Sequence, residues 1–201
     1  MIDIDVYEPD FVISCKFLNS SKEIYEIMRS KTITRAYVYA MVYQPKTLYA
    51  DILKVGMSSP SLSEKRERQV GERIVRQVSH VPGWDSGPPY SSHGSDFYYA
   101  VRNFLIPKKL VVENFNKDML HIGVWDITQR AHYNIIETND DDFTLATWAE
   151  GELAKQYKQT HGNKLPLLNK VDPTKTKVYN KPFLSKENFN EVFVIPNDTK
   201  L

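Results

Sequence analysis

Two kinds of apolar pattern alternate along this chain. Dense β-branched and aromatic runs at "DFVISCKFL" (10–18), "AYVYAMVY" (36–43), "ILKVGMS" (52–58) and "LHIGVWDI" (120–127) each predict a strand. The second and third are parted by "QPKTLYAD", which predicts a hairpin with a longish loop. Other stretches carry apolar residues at helical spacing. In "SSKEIYEIMRS", Ile24, Ile27 and Met28 share one face and Ser20 or Ser21 offers a cap. In "SEKRERQVGERIVRQVSHV" (63–81), Val70, Ile74, Val78 and Val81 form the core face. "FYYAVRNFLI" (97–106) predicts a further helix. "FTLATWAEGELAKQYKQTH" (143–161) predicts another, capped by Asp142 or Thr144 and stopped by Gly162.

This order predicts an α+β fold, a small three-stranded and mainly antiparallel sheet flanked by helices. Residues 1–35 read as an N-terminal strand–helix extension and 36–170 as the main domain. An insertion around 82–118 interrupts that domain, with "PGWDSGPPYSSHGSD" (82–96) as loop. Residues 171–201 read as a basic tail lying on the domain.

Composition narrows the chemistry. Cys15 is the only cysteine, which excludes an intrachain disulfide and a zinc site of several thiolates. The five histidines lack metal-ligand spacing, and the acidic run Asp140 to Asp142 reads as a solvated loop and helix cap. Ser58 and His80 make no hydrolase triad, because no strand–turn–helix serine elbow surrounds the serine. The N-terminus lacks the apolar core of a signal peptide, and no apolar run approaches the ~18 residues that span a bilayer. A soluble, cytoplasmic protein without a membrane partner is expected. Formal net charge is +1, so only the distribution of charge is informative. From Lys155 to Lys186 there are eight lysines and one acid, Asp172, with Tyr157, Tyr179 and Phe183 interleaved. Such a stretch suits phosphate contacts that are blind to sequence, or equally a soluble tail.

Within the hairpin, Tyr37 and Tyr39 are two residues apart and share a face. Lys54 comes just before Gly56 on the second strand. Arg73 and Arg76 lie on the next helix, Glu150 on a later one, and Asn169 beyond it. This ordered set resembles the GIY-YIG nuclease family over roughly Ala36 to Asn169. "YVYAM" stands where "GIY" would be, "KVG" for "YIG", "GERIVRQ" for the arginine helix, "AEGELAKQY" for the glutamate helix and "PLLN" for the asparagine segment. Tyr37 replaces the family's glycine, and Lys54 replaces its second tyrosine, as in some restriction enzymes of the family. The spacing is stretched in the hairpin loop and between Pro82 and about Leu120.

The resemblance implies a metal-dependent endonuclease of restriction or homing type, bacterial or phage, acting on DNA. Its site would comprise Tyr37, Tyr39, Lys54, Gly56, Arg73 or Arg76, His80, Glu150 and Asn169. Arg73 would grip the scissile phosphate as a planar bidentate donor. Arg73 is favoured because Ile74 and Val78 accompany it; Arg76 brings His80 four residues later. Glu150 would hold Mg2+ (or Mn2+), with Glu152 as runner-up, since Glu150 shares a face with Leu153, Ala154 and Tyr157. Either Tyr39 or Lys54 would remove the proton; a phenol near pKa ~10 needs a neighbouring cation to serve as base at neutral pH. Gly56 would let a phosphate approach the backbone, and Asn169 would orient the glutamate or the substrate. Trp84, Tyr90 and His93 are candidates for contacting bases.

Each residue also has an ordinary reading. Tyr39 fits a core aromatic, Lys54 a guarded sheet edge, the arginines a salt-bridged face and Asn169 a turn. A non-catalytic nucleic-acid-binding module on the same fold, or a protein-interaction domain, are the competing functions. The pattern leaves monomer or homodimer open.

Overall fold

A computed structural model describes residues 9–33, 36–44, 51–58, 69–79, 81, 84, 117–127, 142–169 and 172–175. The fold is α+β, as the pattern predicts, but its antiparallel sheet has four strands rather than three. These are β1 (Phe11–Ser14), β2 (Tyr37–Tyr43), β3 (Asp51–Ser58) and β4 (Leu120–Asp126), in spatial order β1-β4-β2-β3. The added strand is β1, expected in an N-terminal extension. It pairs with β4, Phe11 opposite Val124 and Ser14 opposite His121. A partner more than a hundred residues away leaves no local mark, which is why the chain pattern does not disclose this pairing. The run at 10–18 does not continue as strand, because the chain turns into a short 3-10 segment at Cys15–Phe17.

Strand β2 is buried along its whole length. Helices cover both of its faces, so the two side-chain parities are both apolar and the sequence reads as a continuous run. Tyr37, Tyr39, Met41 and Tyr43 join Ile122, Val124 and the helices α1 (Glu23–Ser30) and α2 (Glu72–Val78) in one cluster. Val38, Ala40 and Val42 join Trp125 and α3 (Asp142–Thr160) in the other. Each fully buried Ile or Leu, such as Ile74 or Leu153, contributes about 1.5–3 kcal/mol through area removed from water.

Local signals set the helix ends. Glu23 Oε1 accepts the N–H groups of Asn19 (3.1 Å) and Ser20 (3.0 Å), while Ser20 Oγ accepts that of Lys22 (3.2 Å). This reciprocal arrangement satisfies donors that the start of α1 would leave bare. Gly71, with φ at +92°, bounds helix α2 at its start, and residues 63–68 of the expected helix lie outside the described ones. A side chain at Gly71 would also press on α1, its Cβ standing 3.0 Å from Met28 Cγ. At the end of α3, Gly162 takes φ +60° and the Asn163 N–H reaches back to the Lys158 carbonyl at 2.8 Å. That is the expected glycine stop in Schellman form.

The helix expected at 97–106, Tyr90, His93, His80 and the side chains of Asp142 and Thr144 fall outside what is described. Trp84 is described and packs into the core, its Nε1–H donating to the Leu18 carbonyl at 3.4 Å. Its ring is therefore in the core rather than presented at the surface. Among the described residues no helix is long and apolar enough to cross a membrane.

Candidate active site

The site is built on an irregularity in the hairpin. Val42 lies opposite Ile52 and Met41 opposite Lys54, so Leu53 is an extra residue in β3. Bulges of this kind twist a strand and re-aim the side chains that follow. Beyond it the pairing runs Ala40 with Val55, Tyr39 with Gly56 and Tyr37 with Ser58. Lys54 and Gly56 therefore share the face of Tyr37 and Tyr39, towards α2.

Tyr39 lies over Gly56. A Cβ placed on Gly56 would stand 2.5 Å from Cζ and 2.5 Å from the phenol oxygen of Tyr39. The space over this glycine, expected to admit a phosphate, holds the tyrosine ring instead. Tyr37 is fully buried beside it, the two ring centroids 6.3 Å apart. Tyr37 also lies between Ser58 and Asp126 across the sheet, and both of those polar residues are buried.

Helix α2 turns Ile74, Val75 and Val78 into the core and leaves Arg73 and Gln77 half-buried, one turn apart. The Lys54 Nζ donates to Gln77 Oε1 at 3.1 Å. Arg76 points the other way: it is exposed and paired with Glu72 on its own helix. Of the two arginines, Arg73 is the more buried.

From the opposite face, α3 brings Glu150. Burial pushes its carboxyl up to about 7, while the positive charges of Arg73 and then Lys54 pull in the other direction. Helix α3 packs on β3 and β2, while α2 reaches β3 through the contact of Gln77 with Lys54. Glu152 is buried as well, but its partner is Lys155, at 3.4 Å. Glu150 is thus a carboxylate in electrostatic reach of the lysine and the arginine.

Asn169 serves the backbone of β3. Its Oδ1 accepts the Val55 N–H and its Nδ2 donates to the Val55 carbonyl, both at 2.9 Å. One residue earlier, the Leu168 N–H donates to the Leu53 carbonyl at 2.8 Å. The segment thus occupies polar groups that an outer strand would otherwise present. Its side chain fixes the link between Lys54 and Gly56; the expected contact with glutamate or substrate is not what engages the amide here.

Gln77 has no place in the expected set, although it stands four residues after Arg73 and so on the same helical stripe. That spacing is the signal that could have identified it. Among the described residues no three of His, Cys, Asp and Glu cluster. Among the described residues, Glu150 is the carboxylate this site offers to an ion. That donor set fits Mg2+, which keeps several waters and accepts a single carboxylate, and does not fit zinc. A carboxyl at about 7 can exchange its proton for a cation near neutral pH.

The lysine-rich stretch is partly neutralised where it is described. Lys158 Nζ lies 2.8 Å from Asp172 Oδ2, and Asp172 also accepts from Thr174, contacts that hold its carboxyl well below the usual range. The chain matches no family model, no curated protein and no solved structure.

Proposed function

We propose that the protein is a metal-dependent endonuclease that hydrolyses DNA phosphodiester bonds, of restriction or homing type, acting in the cytoplasm of a bacterial or phage-infected cell. The observation that carries this reading is that Lys54 reaches Gln77, one turn from Arg73, while the charges of Arg73 and Lys54 both act on the buried Glu150 carboxyl. Two cations and one carboxylate from three separate elements make a site suited to a phosphate and an ion together.

Arg73 presents a planar set of donors to the oxygens of the scissile phosphate. Lys54 adds a second positive charge. The proton of the attacking water goes to Tyr39 where Lys54 is charged, or to Lys54 itself where the amine is neutral. Glu150 would hold Mg2+ or Mn2+, and the ion would supply positive charge to stabilise the transition state. Asn169 holds the strand that carries the lysine.

The test is a supercoiled plasmid incubated with purified protein and Mg2+, with and without EDTA. Metal-dependent nicking or linearisation is expected, lost in Glu150→Gln and Arg73→Ala. DNA retained on a gel but left uncut with either Mg2+ or Mn2+ would replace this reading with a non-catalytic DNA-binding module.

A further inference from the structure

We propose that Gln77 is a positioning residue for Lys54, holding the lysine amine in the site from α2. The inference rests on the nuclease reading for its consequence, although the contact itself does not depend on it.

Lys54 follows the extra residue Leu53, at the point where the strand is most irregular. Its side chain is a flexible four-carbon stem ending in a strongly hydrated point charge. Strand geometry alone therefore leaves the amine free to sample many positions. Gln77 removes that freedom: Nζ donates to Oε1 at 3.1 Å, between groups that are both half-buried. An ammonium has no acceptor, so the amide must present its oxygen and not its nitrogen to Lys54.

The choice of an amide matters for the charge of the site. Glutamine accepts the hydrogen bond without adding a negative charge. Lys54 and Arg73 both act on the Glu150 carboxylate. A glutamate at position 77 would add a negative charge beside Lys54 and lessen the attraction for phosphate. The helix places both functions one turn apart: Arg73 for the anion, Gln77 for the amine that assists it.

The test uses the full-length protein and two readouts. In Gln77→Met, which keeps length and loses the acceptor, kcat on plasmid DNA should fall about tenfold with KM little changed, in line with loss of a hydrogen bond to a charged group. The same change in a Lys54→Ala background should cost nothing further, because Gln77 acts through the lysine. NMR relaxation of the Lys54 side chain, without DNA, should report an ordered amine end in the wild type, a mobile one in Gln77→Met and restored order in Gln77→Glu. Equal order in wild type and Gln77→Met, or losses that multiply in the double variant, would overturn the inference. If the wild type cuts no DNA, the nuclease reading fails while the relaxation data still decide the role of Gln77. A matched thermal unfolding curve for Gln77→Met separates misfolding from either outcome.

Discussion

The phenol ring of Tyr39 occupies the volume that a side chain at Gly56 would need, with Cζ and the hydroxyl oxygen both 2.5 Å from the position of its Cβ. These two residues face each other across the hairpin, one strand supplying the ring and the other the room for it. The glycine of "KVG" is thus required by its neighbour's bulk. Gly56→Ala should displace the ring, destabilise the fold by about 1–3 kcal/mol and lower cleavage. In the Tyr39→Ala background the same substitution should cost little stability, since nothing remains to collide. Denaturant unfolding of the four proteins of this cycle checks it; additive losses would mean that the glycine serves some other contact.

Glu150 sets a pH dependence. Its carboxyl lies at about 7 in the fold against 4.5 for an unperturbed glutamate, through burial opposed by Arg73 and Lys54. The folded state therefore binds the proton more tightly than the unfolded chain. Stability from this group is complete below pH 4.5 and is lost as pH rises towards and through 7, by up to about 3 kcal/mol for the ionised form. Glu150→Gln should consequently unfold at a higher temperature than wild type at pH 8 and at a similar one at pH 4.5, while abolishing cleavage. Thermal scans at both pH values test the sign, and a difference larger at pH 4.5 would refute it.

Removing Arg73 should raise the Glu150 carboxyl further, because the guanidinium is the first of the charges pulling it down. Arg73→Ala should lower cleavage by about 100-fold or more, the scale of losing a group that stabilises transition-state charge. Arg76→Ala, at an exposed position paired within its own helix, should change stability by no more than about 0.5 kcal/mol and leave the rate near wild type. Carbon-detected titration of Glu150 in the first variant and cleavage rates in both are the measurements. Equal rates in the two variants would contradict the assignment of Arg73.

Asn169→Leu should cost about 1–3 kcal/mol, because the N–H and the carbonyl of Val55 both lose their partner. Amide hydrogen exchange gives the local check. Protection at Val55 should drop while that at Val42, in the interior strand, stays high. Loss of protection throughout the sheet would point instead to global weakening.

Much of the fold is legible in the chain, for physical reasons visible at single residues. Val38, Ala40 and Val42 against Tyr37, Tyr39 and Met41 announce a strand covered on both faces, and Ile74 and Val78 announce the inner side of α2. The same periodicity favours Arg73 over Arg76 and sets Glu150 among inward residues. What is not legible depends on distant or irregular contacts. The pairing of Phe11 with Val124 is non-local. The extra residue at Leu53 hides inside an apolar run whose alternation cannot show a slip. Gln77 has no chemistry of its own until Lys54 is beside it.

The strip from Leu168 to Asn169 has a consequence for how copies of the chain meet. With the Leu53 carbonyl and both backbone groups of Val55 already engaged, this part of the outer rim of β3 offers no open donors and acceptors for another molecule to zip onto. Self-association along that rim would require the strip to peel off first. A version of the protein cut before Leu168 would carry a sticky border and should precipitate or form higher assemblies where the intact chain stays dispersed.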